Sequence, residues 1–323
     1  MQRIAIVILF LGAYACAILY PFDWRSPHPL PNNARYAADG GLVFPIGGQG
    51  VAKSPAAPDW LSSAIGSHSL DVSLRARPFS GAQFGPARLV TLSENQSRRN
   101  FMIGQKGANL IVRVRTAWTT GNGVPNYVIE DVFATDAWVD IDVAIRPGML
   151  RVTAAGKRAR FALPPDPMAL WEPHHRLALG NEVSHNRPWV GELARAEIGT
   201  KGARVDYARP GTLAIPEQLR PYRPNLRLVP LRDLGRRDGI SNFFGFIPLG
   251  ALAGALIAGF PAAPIVAIAA VGGYSLALEI LQIWVPSRFS SINDVILNTL
   301  GGAAGVLILL AIRRRRTKAA AIP

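Results

Sequence analysis

Apolar residues concentrate at the two ends of the 323-residue chain, whereas the middle alternates between apolar and polar residues. The first apolar block covers residues 4–20, and the second covers residues 240–312. A helix needs about 20 predominantly apolar residues to cross a bilayer. The first block therefore predicts one membrane helix, and the second is long enough for three.

Prolines divide the second apolar block into pieces of similar length. Pro261 and Pro264 end the first piece, and the turn from Pro286 to Arg288 separates the other two. Proline disfavours a continuous helix because it lacks a backbone N–H. The pattern predicts helices over 240–260, 265–284 and 292–312, and the short turns make consecutive helices antiparallel neighbours.

The middle of the chain shows the period-two alternation of half-buried strands. Gly, Pro, Asn and Asp separate the alternating runs, and residues 154–157 are typical of a hairpin turn. This pattern indicates an antiparallel sandwich rather than a helical domain. The clearest runs are residues 69–76, 109–115, 137–144, 149–153 and 193–198.

The predicted fold is mixed, with a multi-pass α-helical membrane domain of about four transmembrane helices and an extracytoplasmic all-β jelly-roll sandwich. Prolines at positions 210, 216, 221, 224 and 230 exclude a long regular element between the two. The predicted segments are an anchor at 1–22, a sandwich at 23–208, a Pro/Arg-rich linker at 209–239, a three-helix membrane domain at 240–312 and a basic tail at 313–323.

Basic residues predict the orientation in a bacterial cytoplasmic (inner) membrane. Four arginines at 313–316 follow the last helix, and Arg3 precedes the first. By the positive-inside rule both termini are cytoplasmic and the β domain is periplasmic. Three arginines before the second helix, on the outer face, oppose this assignment: Arg232, Arg236 and Arg237. Asp233 and Asp238 partly offset them, and long translocated segments obey the rule weakly.

Cleavage of the first helix is an alternative, because Ala13-Tyr14-Ala15 fits a small-x-small pattern. The apolar run continues to Tyr20, which favours an uncleaved anchor. Cys16 is a poor lipidation site, since no large aliphatic residue stands at the expected upstream position. As the single cysteine, it excludes an intrachain disulfide and a cysteine-based zinc site.

The formal net charge of +14 raises nucleic acid or an anionic surface as a partner. The arginines are scattered, and no basic stripe is interleaved with aromatic residues. We therefore expect membrane lipid and a glycan or lipid-linked envelope precursor as partners, and no nucleic acid. The oligomeric state stays open.

The middle segment offers few residues for metal binding or catalysis. Asn181, Glu182 and Asp140 carry the oxygen ligands that calcium prefers, but their separation favours turn capping. The pair His174 and His175 favours a surface loop over a metal site. We expect no cofactor, with calcium as the alternative. No Ser/His/Asp or paired-carboxylate arrangement predicts an enzyme here.

The order of several runs is informative about the β domain. Residues 101–105 precede 110–113 as a strand pair, and residues 177–182 precede a Trp189-Val190-Gly191 run. This order resembles the laminin-G/concanavalin A-like jelly-roll family over about half the chain. The family's histidine-led strand is absent at residues 138–143. The resemblance implies binding of a glycan or protein, sometimes with calcium.

Polar residues interrupt the C-terminal apolar block at helical spacing. A buried membrane carboxylate is costly and needs a partner, for which Arg288 is the candidate to pair with Glu279. The structural alternative is a capping box from Ser291 to Asp294 with Gln282 and Asn298 as interhelical links. The predicted ligand-binding set is Asn242, Ser275, Glu279, Gln282, Arg288, Ser290, Asp294 and Asn298.

The same residues, with residues 246–250, Gly301 and Gly305, resemble the VanZ-like family in order and spacing. The resemblance covers about 75 residues and implies a role in low-level resistance to teicoplanin. The inserted β domain is a departure from the minimal family member. We expect a non-enzymatic envelope protein that binds a glycan or lipid-linked ligand. The alternatives are an intramembrane enzyme, with Glu279 and Asp294 as acid and base, and a proton-coupled transporter that uses Glu279.

Overall fold

The computed structural model describes residues 2–20, 22, 24, 28–38, 40–47, 49–83, 85–219, 236–285, 288 and 290–320. It divides into two compact units. Residues 1–25 with 223–323 form what we term the membrane unit, and residues 26–222 form the β unit. Much of the predicted linker at 209–239, like the turn residues Pro286 and Ser287, lies outside the described residues.

Over its described residues, the β unit consists of short strands and one helix, α2, at Trp60–Ser67. The strands are β1 Leu30–Pro31, β2 Arg35–Tyr36, β3 Leu42–Phe44, β4 Ala52–Lys53, β5 Leu70–Pro78, β6 Ala87–Asn95, β7 Arg98–Lys106, β8 Asn109–Val114, β9 Tyr127–Ile129, β10 Val139–Arg146, β11 Met149–Ala154, β12 Lys157–Ala162, β13 Arg176–Leu179, β14 Gly191–Thr200, β15 Ala203–Asp206 and β16 Gln218–Leu219.

The described strands form two large antiparallel sheets and one small one. The eight-stranded sheet has the order β12-β11-β10-β5-β14-β3-β2, with β15 paired to β14. The six-stranded sheet has the order β4-β13-β6-β7-β8-β9, and β1 pairs with β16. The predicted antiparallel sandwich is confirmed, and the predicted hairpin turn lies between β11 and β12.

The core of the β unit lies between the inner faces of the two sheets. Strand β5 alternates between buried and partly exposed positions, so that Val72 and Leu74 point inward. Phe101 and Ile103 on β7 join the same buried cluster from the six-stranded sheet. Because alternation is local, the sequence predicts the inner face of β5 correctly.

The membrane unit is helical. Its helices are α1 Gln2–Leu19, α3 Arg236–Leu256, α4 Ala263–Gln282 and α5 Ile292–Ala320. Three of them contain stretches long and apolar enough to cross a membrane, at Gly239–Leu256, Ala263–Gln282 and Ile292–Arg316, and α1 has a shorter apolar stretch, Val7–Leu19. The C-terminal region is therefore membrane-embedded, and its helices follow the predicted spans to within a few residues, except that α5 continues through the basic run.

Glycines set the packing of α3 against α5. A Cβ at Gly301 would lie 2.0 Å from the carbonyl oxygen of Phe243, and one at Gly305 would lie 2.0 Å from that of Ile247. The backbones meet directly, as small residues allow. Since the contact positions increase together in both helices, α3 and α5 are parallel to each other, and α4 runs antiparallel to both.

Candidate functional site

Glu279 lies in the last turn of α4, and it is only 3% exposed. Its Oε2 accepts the backbone N–H of Ser291 at 2.9 Å, and its backbone carbonyl accepts the hydroxyl of Ser290 at 2.5 Å. The first N–H groups of a helix have no acceptor within the helix, and a carboxylate is favoured there. Glu279 therefore stabilises the start of α5 from a neighbouring helix.

Ser291 caps α5 through its own side chain. Its hydroxyl accepts the backbone N–H of Asn293 at 3.1 Å, which is an N-cap hydrogen bond. The predicted capping box pairs Ser291 with Asp294. In the structure the N–H of Ser291 donates to Glu279, and its hydroxyl accepts the N–H of Asn293. A carboxylate from α4 therefore takes part in this cap, which joins two helices.

Arg288 and Gln282 face the first helix. Arg288 donates from Nε to the carbonyl of Tyr20 at 2.6 Å and from Nη2 to that of Ala17 at 3.0 Å. Gln282 donates from Nε2 to the carbonyl of Ile18 at 3.2 Å. The last carbonyls of a helix lack intrahelical donors, so both side chains cap the C-terminal end of α1.

The expected ion pair between Arg288 and Glu279 is therefore replaced by two separate contacts. Among the described residues, no hydrogen bond or ion pair joins these two side chains. Arg288 and Asp294 both lie within electrostatic range of Glu279. The arrangement holds α1, α4 and α5 together at one end of the membrane unit.

The remaining members of the predicted set are divided between a buried pair and two half-buried residues. Asn298 donates from Nδ2 to the hydroxyl of Ser275 at 2.9 Å, and both side chains are buried. Asn298 Oδ1 has no hydrogen-bond partner among the described residues. Asn242 and Asp294 are half-buried near the starts of α3 and α5.

Two tyrosines outside the predicted set add links to α1. The Tyr274 hydroxyl donates to the carbonyl of Leu11 at 2.6 Å, and the Tyr14 hydroxyl donates to the carbonyl of Gly245. A tyrosine hydroxyl in an apolar environment usually finds such a partner. That preference is the only sequence signal for these contacts, and it does not name the acceptor.

Residues 207–313 match the family model described as VanZ/LLP1. The C-terminal region is VanZ-like. The match includes all eight residues of the predicted set and confirms the resemblance inferred from their spacing. No curated protein matches the chain by sequence.

The β unit, whose last residues overlap the start of the VanZ-like match, is similar in fold to several solved structures. The binding domain of botulinum neurotoxin DC in complex with rat synaptotagmin II has a TM-score of 0.39 and 10% identity, over 54% of this chain and 44% of that one. The heptameric SAP-like pentraxin from Limulus polyphemus has a TM-score of 0.34 and 16% identity, over 48% of this chain and 73% of that one. The Ruminococcus gnavus IT-sialidase CBM40 has a TM-score of 0.37 and 11% identity, over 49% of this chain and 89% of that one. The likeness concerns architecture alone.

The three oxygen-bearing residues considered for the calcium alternative are not brought together in the β unit. Asp140 on β10 pairs with Arg75 and Arg195 at 3.1 Å each, on the eight-stranded sheet. Glu182 and Asn181 follow β13 of the six-stranded sheet and are fully buried. Within the described residues, no group of three or more His, Cys, Asp and Glu side chains is arranged to hold a metal. These three residues therefore do not form a common calcium site, because Asp140 lies on one sheet and the pair Asn181 and Glu182 follows a strand of the other.

The expectation of a surface loop for the histidine pair is wrong for His175. His174 is exposed, but His175 is only 1% exposed. Burial, with repulsion from His174, lowers the pKa of His175 to about 4. His175 is therefore neutral at neutral pH and belongs to the interior of the β unit.

Sequence reasoning missed a buried ion cluster around Glu182. Arg88 and Arg99 each approach its Oε2 at 3.3 Å, and the Ser93 hydroxyl donates to Oε1. Burial alone would raise the pKa of Glu182, but Arg99 and Arg88 outweigh it and hold the pKa below 4.5. Turn capping is only part of its role, since Oε1 also accepts the N–H of Val183 at 3.1 Å.

Proposed function

We propose that the protein is a VanZ-like integral membrane protein of the bacterial envelope whose β unit binds an extracytoplasmic glycan. The direction of the helices supports the orientation. α1 runs parallel to α4, because Leu11 meets Tyr274 and Ile18 meets Gln282. The end of α1 and the start of α3 therefore lie at one end of the membrane unit, opposite the basic end of α5. The positive-inside rule assigns that basic end to the cytoplasm.

The observation that carries glycan binding is an open groove of about 410 Å³ in the β unit. Trp138 lines this groove together with Asp131, Thr135 and Asp140. An indole offers an apolar face to a sugar ring, and carboxylates accept hydrogen bonds from its hydroxyls. Few polar groups around an aromatic surface are typical of a small-ligand site.

Arginine side chains support the position of Trp138. The guanidinium of Arg77 lies 5.1 Å from the centre of its ring, and that of Arg75 lies 5.8 Å away. Cation–π contacts of this kind are weakly stabilising at exposed sites. Arg75 also pairs with Asp140, so one arginine orients both the aromatic and the acidic wall of the groove.

The test is a glycan-array screen with the full-length protein in detergent. Trp138→Ala is expected to weaken binding of any captured glycan by about tenfold or more, as for a central aromatic contact. Trp118→Ala is the matched control, because Trp118 is exposed and lies outside the groove. Equal binding by wild type and Trp138→Ala, or no capture by folded protein, would contradict the proposal.

The VanZ-like region supports a second candidate, an intramembrane enzyme that acts on a lipid-linked precursor. Glu279 and Asp294 are two neighbouring carboxyl groups at the end of the membrane unit where α4 ends and α5 begins. Conversion of a lipid-linked saccharide in proteoliposomes should be lost in Glu279→Gln if Glu279 carries the proton. Turnover unchanged in this variant would remove Glu279 from the chemistry.

A resistance role follows the family resemblance and is tested in cells. We propose that loss of the protein changes susceptibility to teicoplanin in a host with a permeable outer membrane. The deletion strain is complemented with wild type, Glu279→Gln or Asp294→Asn, each checked for expression. Susceptibility that is the same for the empty strain and wild type would exclude this role.

A further inference from the structure

The outer face of the six-stranded sheet collects arginines where a sandwich surface usually meets solvent. Thr91 on β6, Met102 on β7 and Arg113 on β8 pair in register across this face. A register shift between Leu92 and Ser93 then turns Arg99 to the same side, opposite Ser93. β-Bulges reorient a side chain in this way, which is why alternation in β7 does not predict it.

The loop that follows β13 covers this face and adds charge to it. It supplies Glu182 and Arg187, and the carbonyl of Arg187 accepts the backbone N–H of Arg88 at 3.1 Å. The guanidinium groups of Arg88, Arg99 and Arg113 are each attracted by Glu182, and each is repelled by Arg187. Three buried or half-buried cations therefore share one carboxylate. The cluster therefore carries an excess of positive charge.

The hydrogen-bond donors of the cluster also exceed its acceptors. Arg99 is fully buried, and its Nε and Nη1 have no acceptor among the described residues. Asn181 Nδ2, next to Glu182, is also buried and also has no acceptor among the described residues. Buried hydrogen-bond donors normally have an acceptor, so each of these groups can accommodate one more hydrogen-bond acceptor. The unmet groups are all donors, which is the pattern that an anion would complete.

Arg113 and Arg187 form the accessible side of the cluster. Both are partly exposed, whereas Arg88 and Arg99 are buried. Asn126 and Asn122 accept from Arg113 at 2.6 and 3.2 Å and fix the direction of its guanidinium. Burial, with repulsion from Arg88 and Arg187, lowers the pKa of Arg113 to about 9, so it remains charged at neutral pH.

We propose that this face binds an oxyanion, a carboxylate or phosphate group, between Arg99, Arg113 and Arg187. Planar guanidinium groups match both anions with paired hydrogen bonds. The anion offsets the excess charge and accepts from the buried donors of Arg99. This site is separate from the Trp138 groove and does not rest on glycan binding there.

The test uses the full-length protein in detergent and inorganic phosphate as the probe, with binding followed by broadening of the ³¹P resonance. Ionic strength is held constant so that general screening does not change. Saturable broadening is expected. Arg113→Gln should raise the dissociation constant for phosphate by about tenfold or more, because a charge-assisted contact is lost. Arg113→Lys keeps the charge, and its dissociation constant for phosphate should lie between those of wild type and Arg113→Gln.

Arg158→Gln is the matched control. Arg158 is exposed on β12 of the other sheet, so this variant removes the same charge away from the cluster. Competition by glucuronate would identify a carboxylate as an equal ligand, and its absence would restrict the site to phosphate. Trp138→Ala should leave phosphate binding unchanged, which separates this proposal from the glycan groove. The proposal is overturned if folded wild type does not broaden the resonance, or if Arg113→Gln and Arg158→Gln behave alike.

Discussion

The carboxylate of Glu279 accepts the backbone N–H of Ser291 across a distance of 2.9 Å, joining the end of α4 to the start of α5. This contact needs an oxygen acceptor but not a negative charge. Glu279 can therefore act as a structural hydrogen-bond acceptor without acting as a titrating or catalytic carboxylate, and the sequence alone does not distinguish these two roles.

Substitution of Glu279 distinguishes these roles. Glu279→Ala leaves the buried N–H of Ser291 without an acceptor, which costs about 1–3 kcal/mol. Glu279→Gln keeps an oxygen acceptor and should melt close to wild type. The measurement is the thermal unfolding midpoint of the purified protein in detergent. If Gln lowers the midpoint as much as Ala, the charge itself stabilises this end of α5.

Arg288 provides a second test at the same end of the membrane unit. Arg288→Gln removes the hydrogen bonds to the carbonyls of Tyr20 and Ala17, so the end of α1 should open more often. Faster amide hydrogen exchange around residues 17–20 is the expected result. Arg315→Gln, an exposed substitution on α5, is the control. Unchanged exchange in Arg288→Gln would mean that apolar contacts alone hold α1.

The predictable and unpredictable parts of this site differ in their physical origin. Residue spacing brings Glu279, Ser275 and Asn298 to one helix interface, because helical periodicity is local. The partners of Arg288 and Gln282 are backbone carbonyls of α1, more than 260 positions away along the chain. Every residue carries such a carbonyl, so no side-chain pattern marks these acceptors.

The β unit shows the same division. The alternation in β5 and β10 predicts which residues point inward. Arg99 breaks that rule because the register shift in β6 and β7 changes the face on which it lies. Its burial beside Glu182 depends on a loop from elsewhere in the chain, so a charged residue that sequence assigns to solvent becomes part of the interior.

Glycine packing in the VanZ-like region gives a prediction with an internal control. Gly301→Ala would place its Cβ 2.0 Å from the carbonyl oxygen of Phe243, so α3 and α5 must separate. Overpacking of this kind costs about 1–3 kcal/mol or more. Gly245→Ala on α3 has no atom within 4 Å of the new Cβ and should be neutral. Thermal midpoints in detergent compare the two, and equal midpoints would contradict the close helix contact.

The stability of the β unit should depend on pH through His175. Its pKa lies near 4 in the folded protein, against 6.5 for an ordinary histidine, because burial disfavours the charged ring. Between these values the unfolded chain binds a proton that the folded chain does not bind. Above pH 6.5, His175 therefore does not lower the free energy of unfolding. As the pH falls below 6.5 the free energy of unfolding decreases, and near pH 4 it is lower by about 3 kcal/mol.

The measurement is the free energy of unfolding of the β unit against pH, obtained from denaturant curves followed by tryptophan fluorescence in the full-length protein. His175→Asn removes the titrating ring and should flatten the slope between pH 6.5 and 4. Asn substituted for the exposed neighbour His174 is the control and should leave most of the slope in place. A slope that survives in His175→Asn would assign the acid sensitivity to another group. For a slope below pH 4.5, the ordinary pKa of a glutamate, Glu182 would be the first candidate. Its protonation there removes the negative charge that attracts Arg99 and Arg88.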